Sequence, residues 1–123
     1  MVTLIVGAST NPDRYAYKAA KLLADYDFDF RLIGIKDGEI LGQSILPIKS
    51  LPKVEGIDIV TLYIGPNNQS DYIDYIIDVI KPSRVIFNPG TENPAFFKVL
   101  DQHNISYEMS CTLVLLSTNQ YQS

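Results

Sequence analysis

Five short apolar runs, separated by stretches of a different periodicity, confine this chain to a small set of architectures. The first, Val2-Thr3-Leu4-Ile5-Val6, is mostly β-branched and lacks polar alternation, the pattern of a strand buried on both faces. Phe30-Arg31-Leu32-Ile33-Gly34-Ile35 is the second, and Ile57 to Ile64 the third, broken only by Asp58 and Thr61. Arg84-Val85-Ile86-Phe87 and the segment from Ile105 to Glu108 complete the set. Between the first two runs, Tyr15, Ala19, Leu22, Leu23 and Tyr26 recur at helical spacing, with Arg14, Lys18, Lys21 and Asp25 elsewhere. Pro66-Asn67 opens a second helical pattern with Tyr72, Ile73, Ile76, Ile77 and Ile80 on one face, stopped by Pro82. Asn93-Pro94, a capping residue and a first-turn proline, opens a third through Phe97 and Leu100 to Gln102. Strands alternating with helices predict a parallel sheet covered on both faces.

Two segments depart from the alternation. Lys36 to Gly56 is a long crossover where a helix would usually sit, and its Ile40, Leu41, Ile45, Ile48, Leu51 and Val54 predict that it packs down. Loops of that length in compact domains are often functional, which marks it as a lip of a site. The tail from Cys111 to Leu116 is apolar and fits either a short helix or an edge strand.

At 123 residues the chain suffices for one domain with one core. Lys+Arg 10 against Asp+Glu 14 gives a net charge of −4, which argues against nucleic acid as a partner. One cysteine, Cys111, and one histidine, His103, leave no internal disulfide and no Cys/His metal centre. The chain opens directly into its first apolar run, without a signal-peptide pattern, and no run approaches the ~20 residues of a membrane span. The expected setting is soluble, reducing and cytoplasmic, without a membrane partner.

Ligands of open parallel sheets bind outside the carboxyl ends of the strands, so each strand-to-helix turn is a candidate site. In the first, Gly7-Ala8-Ser9-Thr10-Asn11-Pro12-Asp13-Arg14, a glycine permits a sharp turn and close backbone approach. Ser9 and Asn11 offer side-chain donors, the helix start offers free N–H groups, and Arg14 and Lys18 add cations. Together these favour a phosphate or pyrophosphate; a plain turn capped by Ser9 or Asn11 is the simpler alternative. After the second run, Lys36 suits a phosphorylated ribose, as in NADP or coenzyme A, better than plain NAD. Gly65-Pro66 could edge an adenine or pantetheine channel. In Asn88-Pro89-Gly90-Thr91-Glu92-Asn93-Pro94, Gly90 permits close approach, Thr91 lies where a ligand tail would pass, and Glu92 suits an N-terminal cap.

No catalytic constellation emerges. Ser9 has no sequence-evident base, Cys111 adjoins an apolar run as a buried inert thiol would, and Tyr72 and Tyr75 suit packing. No Gly-Lys-Ser phosphate loop is present, which opposes ATP hydrolysis.

These turns resemble those of the small single-domain CoA-binding proteins, which are similar to the N-terminal domain of the succinyl-CoA synthetase α subunit. The matching blocks are Val6 to Arg14, Glu39 to Gly42, Asp58 to Val60, Phe87 to Asn93 and Cys111 to Val114. The resemblance implies an α/β, Rossmann-like single domain over residues 1–123: a parallel five-stranded sheet, order 3-2-1-4-5, with helices on both faces. It implies coenzyme A or an acyl-CoA across the strand ends. The phosphate loop falls on Gly7, Ala8, Ser9, Asn11 and Arg14, with a contact at Lys36. The later turns fall on Ile64, Gly65, Pro66 and on Asn88, Gly90, Thr91. Many members carry a Pro-Val-Asn-Pro-like segment after the second strand, where this chain has Ile35-Lys36-Asp37-Gly38. The synthetase's phosphohistidine domain has no counterpart, so no ligase activity is expected. The leading expectation is non-catalytic CoA or acyl-CoA binding by a sensor or accessory protein. An NAD(P)-linked reductase-like domain and a ligand-free interaction module are the alternatives.

Overall fold

All five apolar runs form strands, and the crossover contributes two more. The computed structural model describes residues 1–122; Ser123 lies outside the described residues. The strands are β1 (Val2–Val6), β2 (Asp29–Gly34), β3 (Glu39–Ile40), β4 (Gln43–Pro47), β5 (Ile59–Leu62), β6 (Arg84–Phe87) and β7 (Ser106–Met109). The helices are α1 (Tyr15–Asp25), α2 (Ile73–Tyr75), α3 (Pro94–Gln102) and α4 (Thr112–Ser117), so the apolar tail is helical.

The sheet runs β3-β4-β2-β1-β5-β6-β7, parallel throughout except for the antiparallel β3–β4 hairpin. The expected five-strand order 3-2-1-4-5 therefore does not hold. The third apolar run, now β5, lies between β1 and β6, and the place outside β2 belongs to β4. The reason is physical. Every residue of β5 is buried, which a position between two strands satisfies, whereas the crossover supplies its own flanking strand by pairing Ile45 and Leu46 with Leu32 and Ile33.

The pleat of β1 divides the core in two. Leu4 and Val6 join Val60, Leu62, Phe87, Phe96 and Ile76 on the side of α2 and α3. Ile5 meets Ala16, Ala19, Leu23, Ile59 and Leu116 on the side of α1 and α4. Tyr15 and Tyr26, read as part of the apolar face of α1, are instead exposed. The segment expected as one helix after Pro66 is two 3-10 turns (Pro66–Asn68, Ser70–Tyr72), then α2, then a π turn (Ile76–Ile80). Its apolar spacing is kept against the sheet while its hydrogen-bond ladder changes pitch, closing with the Lys81 amide on the Ile76 carbonyl at 2.9 Å.

The crossover packs down through Ile40, Ile45, Ile48 and Val54, and the Tyr75 hydroxyl donates to the Pro52 carbonyl. Leu41 and Leu51 face outward instead, each at a left-handed turn position with φ of 52° and 49°. Beyond α4, Tyr121 is buried with its hydroxyl 2.7 Å from that of Thr3 on β1.

Candidate functional site

The carboxyl ends of β1, β2, β5 and β6 open into one cleft of about 410 Å³. Its lining comes from Gly7 to Thr10, from Arg14 to Ala16 at the start of α1, from Gly34 to Lys36, from Ile48 of the crossover, from Tyr63 and Ile64, and from Pro89 and Thr91. That is the place open α/β sheets reserve for ligands, and the volume falls within the range of small-molecule sites. A larger hollow of about 710 Å³ lies at the opposite end of β5, between residues 53–58 and 78–81.

Two close backbone crossings hold the first loop down. The amides of Gly7 and Ala8 both donate to the Ile33 carbonyl at 2.9 Å. Gly7 has φ of 100°, and a Cβ there would sit 3.1 Å from the Tyr63 carbonyl carbon. A Cβ on Gly34 would come within 2.6 Å of the Ala8 carbonyl oxygen. Both glycines thus serve the fit of the loop against its neighbouring strands. Ser9 and Asn11 shape the loop further: the Ser9 hydroxyl accepts from the Asn11 amide at 3.1 Å, and Asn11 Oδ1 accepts from the Asp13 amide at 3.0 Å.

What remains free in this loop is one kind of group. The amides of Ser9 and Thr10 make no hydrogen bond among the described residues. Helix α1, with Arg14 at its N-cap position, has no side-chain cap and no acid in its first turn, so neither Ser9 nor Asn11 caps it. The Tyr15, Ala16 and Tyr17 amides are left without partners, and the Lys18 amide is the first to bond back, to the Arg14 carbonyl. An uncapped helix start carries partial positive charge and favours an anion. The lining adds Arg14 and Lys36 and contains no carboxylate, although the whole chain carries a net charge of −4. Lys18, expected near this mouth, does not line it; its ammonium lies 5.2 Å from the centre of the Tyr15 ring.

Across the cleft the polar side chains turn inward. Asn88 is buried: its Nδ2 donates to Thr61 Oγ1 at 2.7 Å and to the Leu62 carbonyl at 2.9 Å, and its Oδ1 accepts from the Thr112 amide at 2.9 Å. The Thr91 hydroxyl donates to the Asn88 carbonyl at 2.7 Å. Glu92 accepts from the Gly90 amide at 2.8 Å and does not cap α3; that cap is Asn93, whose Oδ1 accepts from the Ala95 amide. Of the residues singled out in the sequence, Gly7, Ala8, Ser9, Arg14, Lys36, Ile64 and Thr91 line the cleft. Asn11, Gly65, Pro66, Asn88 and Gly90 lie outside its lining.

The sequence reading missed Tyr63, Ile35 and Tyr15 as lining residues; their signal was position alone, directly after a strand or at the first turn of a helix. The Tyr63 hydroxyl is buried beside Thr61 and Thr112 without a well-formed hydrogen bond among the described residues. Burial pushes its pKa up to about 12, against a smaller opposing pull from those two hydroxyls.

Residues 2–117 match the CoA binding domain family. The chain belongs to the CoA-binding domain family. A crystal structure of an uncharacterized protein is similar to this CoA-binding domain protein at 45% identity, with 97% of this chain and 96% of that one covered and a TM-score of 0.91. A hypothetical protein from Pyrococcus horikoshii OT3 is 25% identical, with 92% and 80% covered and a TM-score of 0.77. The structure of cell-free ID.343 from Thermus thermophilus, 20% identical with 97% and 89% covered, shares the fold at a TM-score of 0.83. No curated protein sequence matches this CoA-binding domain. The Rossmann-like α/β fold expected from the resemblance is present, with seven strands. No helix among the described residues is long and apolar enough to cross a membrane.

Proposed function

We propose that this protein binds coenzyme A or an acyl-CoA across the strand ends, as a sensor or accessory and not as a catalyst. The observation that carries the reading is the anion-ready first loop: unpaired Ser9 and Thr10 amides, an uncapped α1, and Arg14 and Lys36 in a lining without carboxylates. A molecule with three phosphates matches that demand, and the family supplies the kind of ligand. In this reading the loop amides and Arg14 hold the pyrophosphate, and Lys36 faces the ribose phosphate. Ile64 and Thr91 then flank the pantetheine arm, and Gly65, Pro66 and Gly90 shape the loops that carry them. Gly7, Ala8, Asn11 and Asn88 act by shaping the loops. The lining presents no paired acid and base. Ser9 accepts a bond within its turn, and a phenol at about 12 stays protonated at neutral pH.

Isothermal titration tests this. CoA and acetyl-CoA are expected to bind, more weakly as salt rises. Arg14→Glu should lower affinity by about tenfold or more. No heat with either ligand would overturn the proposal, and thermal stabilisation by NADPH but not by CoA would reassign the cleft to NADP.

A further inference from the structure

Gln69 stands outside the cleft, at the junction of the two 3-10 turns after β5, yet it is only 1% exposed. A glutamine so deeply buried needs partners for its amide, and here it has them on three sides. Its Nε2 donates to the Ile64 carbonyl at 2.9 Å and to the Thr91 carbonyl at 2.8 Å, while its Oε1 accepts from Asn93 Nδ2 at 3.0 Å. Carbonyl oxygens on one side and an amide donor on the other fix which way the group points. Ile64 and Thr91 are both lining residues, on the loops after β5 and β6, and Asn93 caps α3. One side chain therefore fixes the spacing of two loops and a helix start that have no strand pairing of their own. An apolar residue of similar size would fill the volume without setting that spacing.

We infer that Gln69 is a positioning residue for the part of the ligand that crosses the β5 and β6 loops, and that it leaves the phosphate anchor untouched. The inference rests on the reading above. With phosphates held at the β1–α1 loop and Lys36 drawing the ribose phosphate to the β2 side, the pantetheine arm of CoA is the portion left to cross Ile64 and Thr91. Adenosine 3′-phosphate 5′-diphosphate carries the nucleotide end and the whole pyrophosphate without that arm, so the two ligands separate the two walls.

The experiment is titration of wild type, Gln69→Met and Asn93→Ser with CoA and with adenosine 3′-phosphate 5′-diphosphate. Gln69→Met keeps length and removes the donors; Asn93→Ser keeps a capping hydroxyl but not the reach to Gln69. Both variants should weaken CoA, Gln69→Met by about tenfold and Asn93→Ser by less, and leave the arm-free nucleotide within about twofold of wild type. If Gln69→Met fails to fold, Asn93→Ser decides alone. Equal losses for both ligands, or none for either, would mark Gln69 as a general structural residue and overturn the inference while the binding proposal stands. Wild type that takes CoA but not adenosine 3′-phosphate 5′-diphosphate would also overturn it, because the anchor would then lie on the arm. Wild type that takes neither overturns the binding proposal and the inference with it.

Discussion

Asn88 directly follows β6 and Arg14 stands at the start of α1, at the far end of the loop after β1, and the structure gives them opposite tasks. The Asn88 side chain is surrounded by protein partners on β5 and α4, whereas Arg14 stands exposed at an uncapped helix start. Asn88→Ala would leave the Leu62 carbonyl and the Thr112 amide buried without those bonds, and take a donor from Thr61. A loss of about 2–4 kcal/mol is expected, read as a lower denaturant midpoint, with CoA affinity of the folded protein falling less than in Arg14→Glu. The sequence could propose Asn88 because its turn is dense in Gly, Pro and Asn. It could not orient the side chain, because the deciding partner, Thr112, is 24 residues further on. Glu92 is a parallel case: its carboxylate has a turn amide two residues back within reach, and takes it before the helix start can.

The hairpin of β3 and β4 turns on Leu41 and Gly42, and Leu41 is a 53%-exposed side chain held at φ of 52°. A left-handed leucine costs about 1–2 kcal/mol, and asparagine tolerates the conformation far better. Leu41→Asn should therefore stabilise the protein by about 1 kcal/mol, seen as a rise of a few degrees in Tm, with no change in CoA binding. The same turn explains why these strands escaped the sequence reading. Leu41-Gly42 lacks the Asn-Gly signal of a tight hairpin, and Gln43-Ser44-Ile45-Leu46-Pro47 is short, half polar and closed by a proline. The five apolar runs were legible because burial on both faces leaves no polar alternation. Their order was not, because an apolar run specifies that a strand is flanked without naming the flanking strands; Ile59 to Leu62 fit beside β1 as well as an apolar pattern could fit anywhere. Helical spacing likewise located Ile73, Ile76, Ile77 and Ile80, but apolar spacing of this kind fits 3-10, α and π turns alike and does not show the switch among them.

Three buried phenols tie distant parts of the molecule together: Tyr63 at the end of β5, Tyr75 against the crossover, and Tyr121 against β1. Burial raises each from an ordinary 10.0 to about 12. The unfolded chain therefore releases these protons first. The stability they contribute is complete below about pH 10 and disappears as pH rises through about 12. Denaturant unfolding at stepped pH, followed alongside phenolate absorbance, should show a steep loss confined to that alkaline window. The Thr3–Tyr121 hydroxyl pair spans 118 residues, and the Tyr121 carbonyl also accepts from Arg84 Nη2 at 2.7 Å while its ring meets Phe28 edge-on. During synthesis, Thr3 thus leaves the ribosome long before its partner exists. A chain cut before Tyr121 would leave Thr3 without its hydroxyl partner and Phe28 without its edge-on ring, so this seam can close only after residue 121 has emerged.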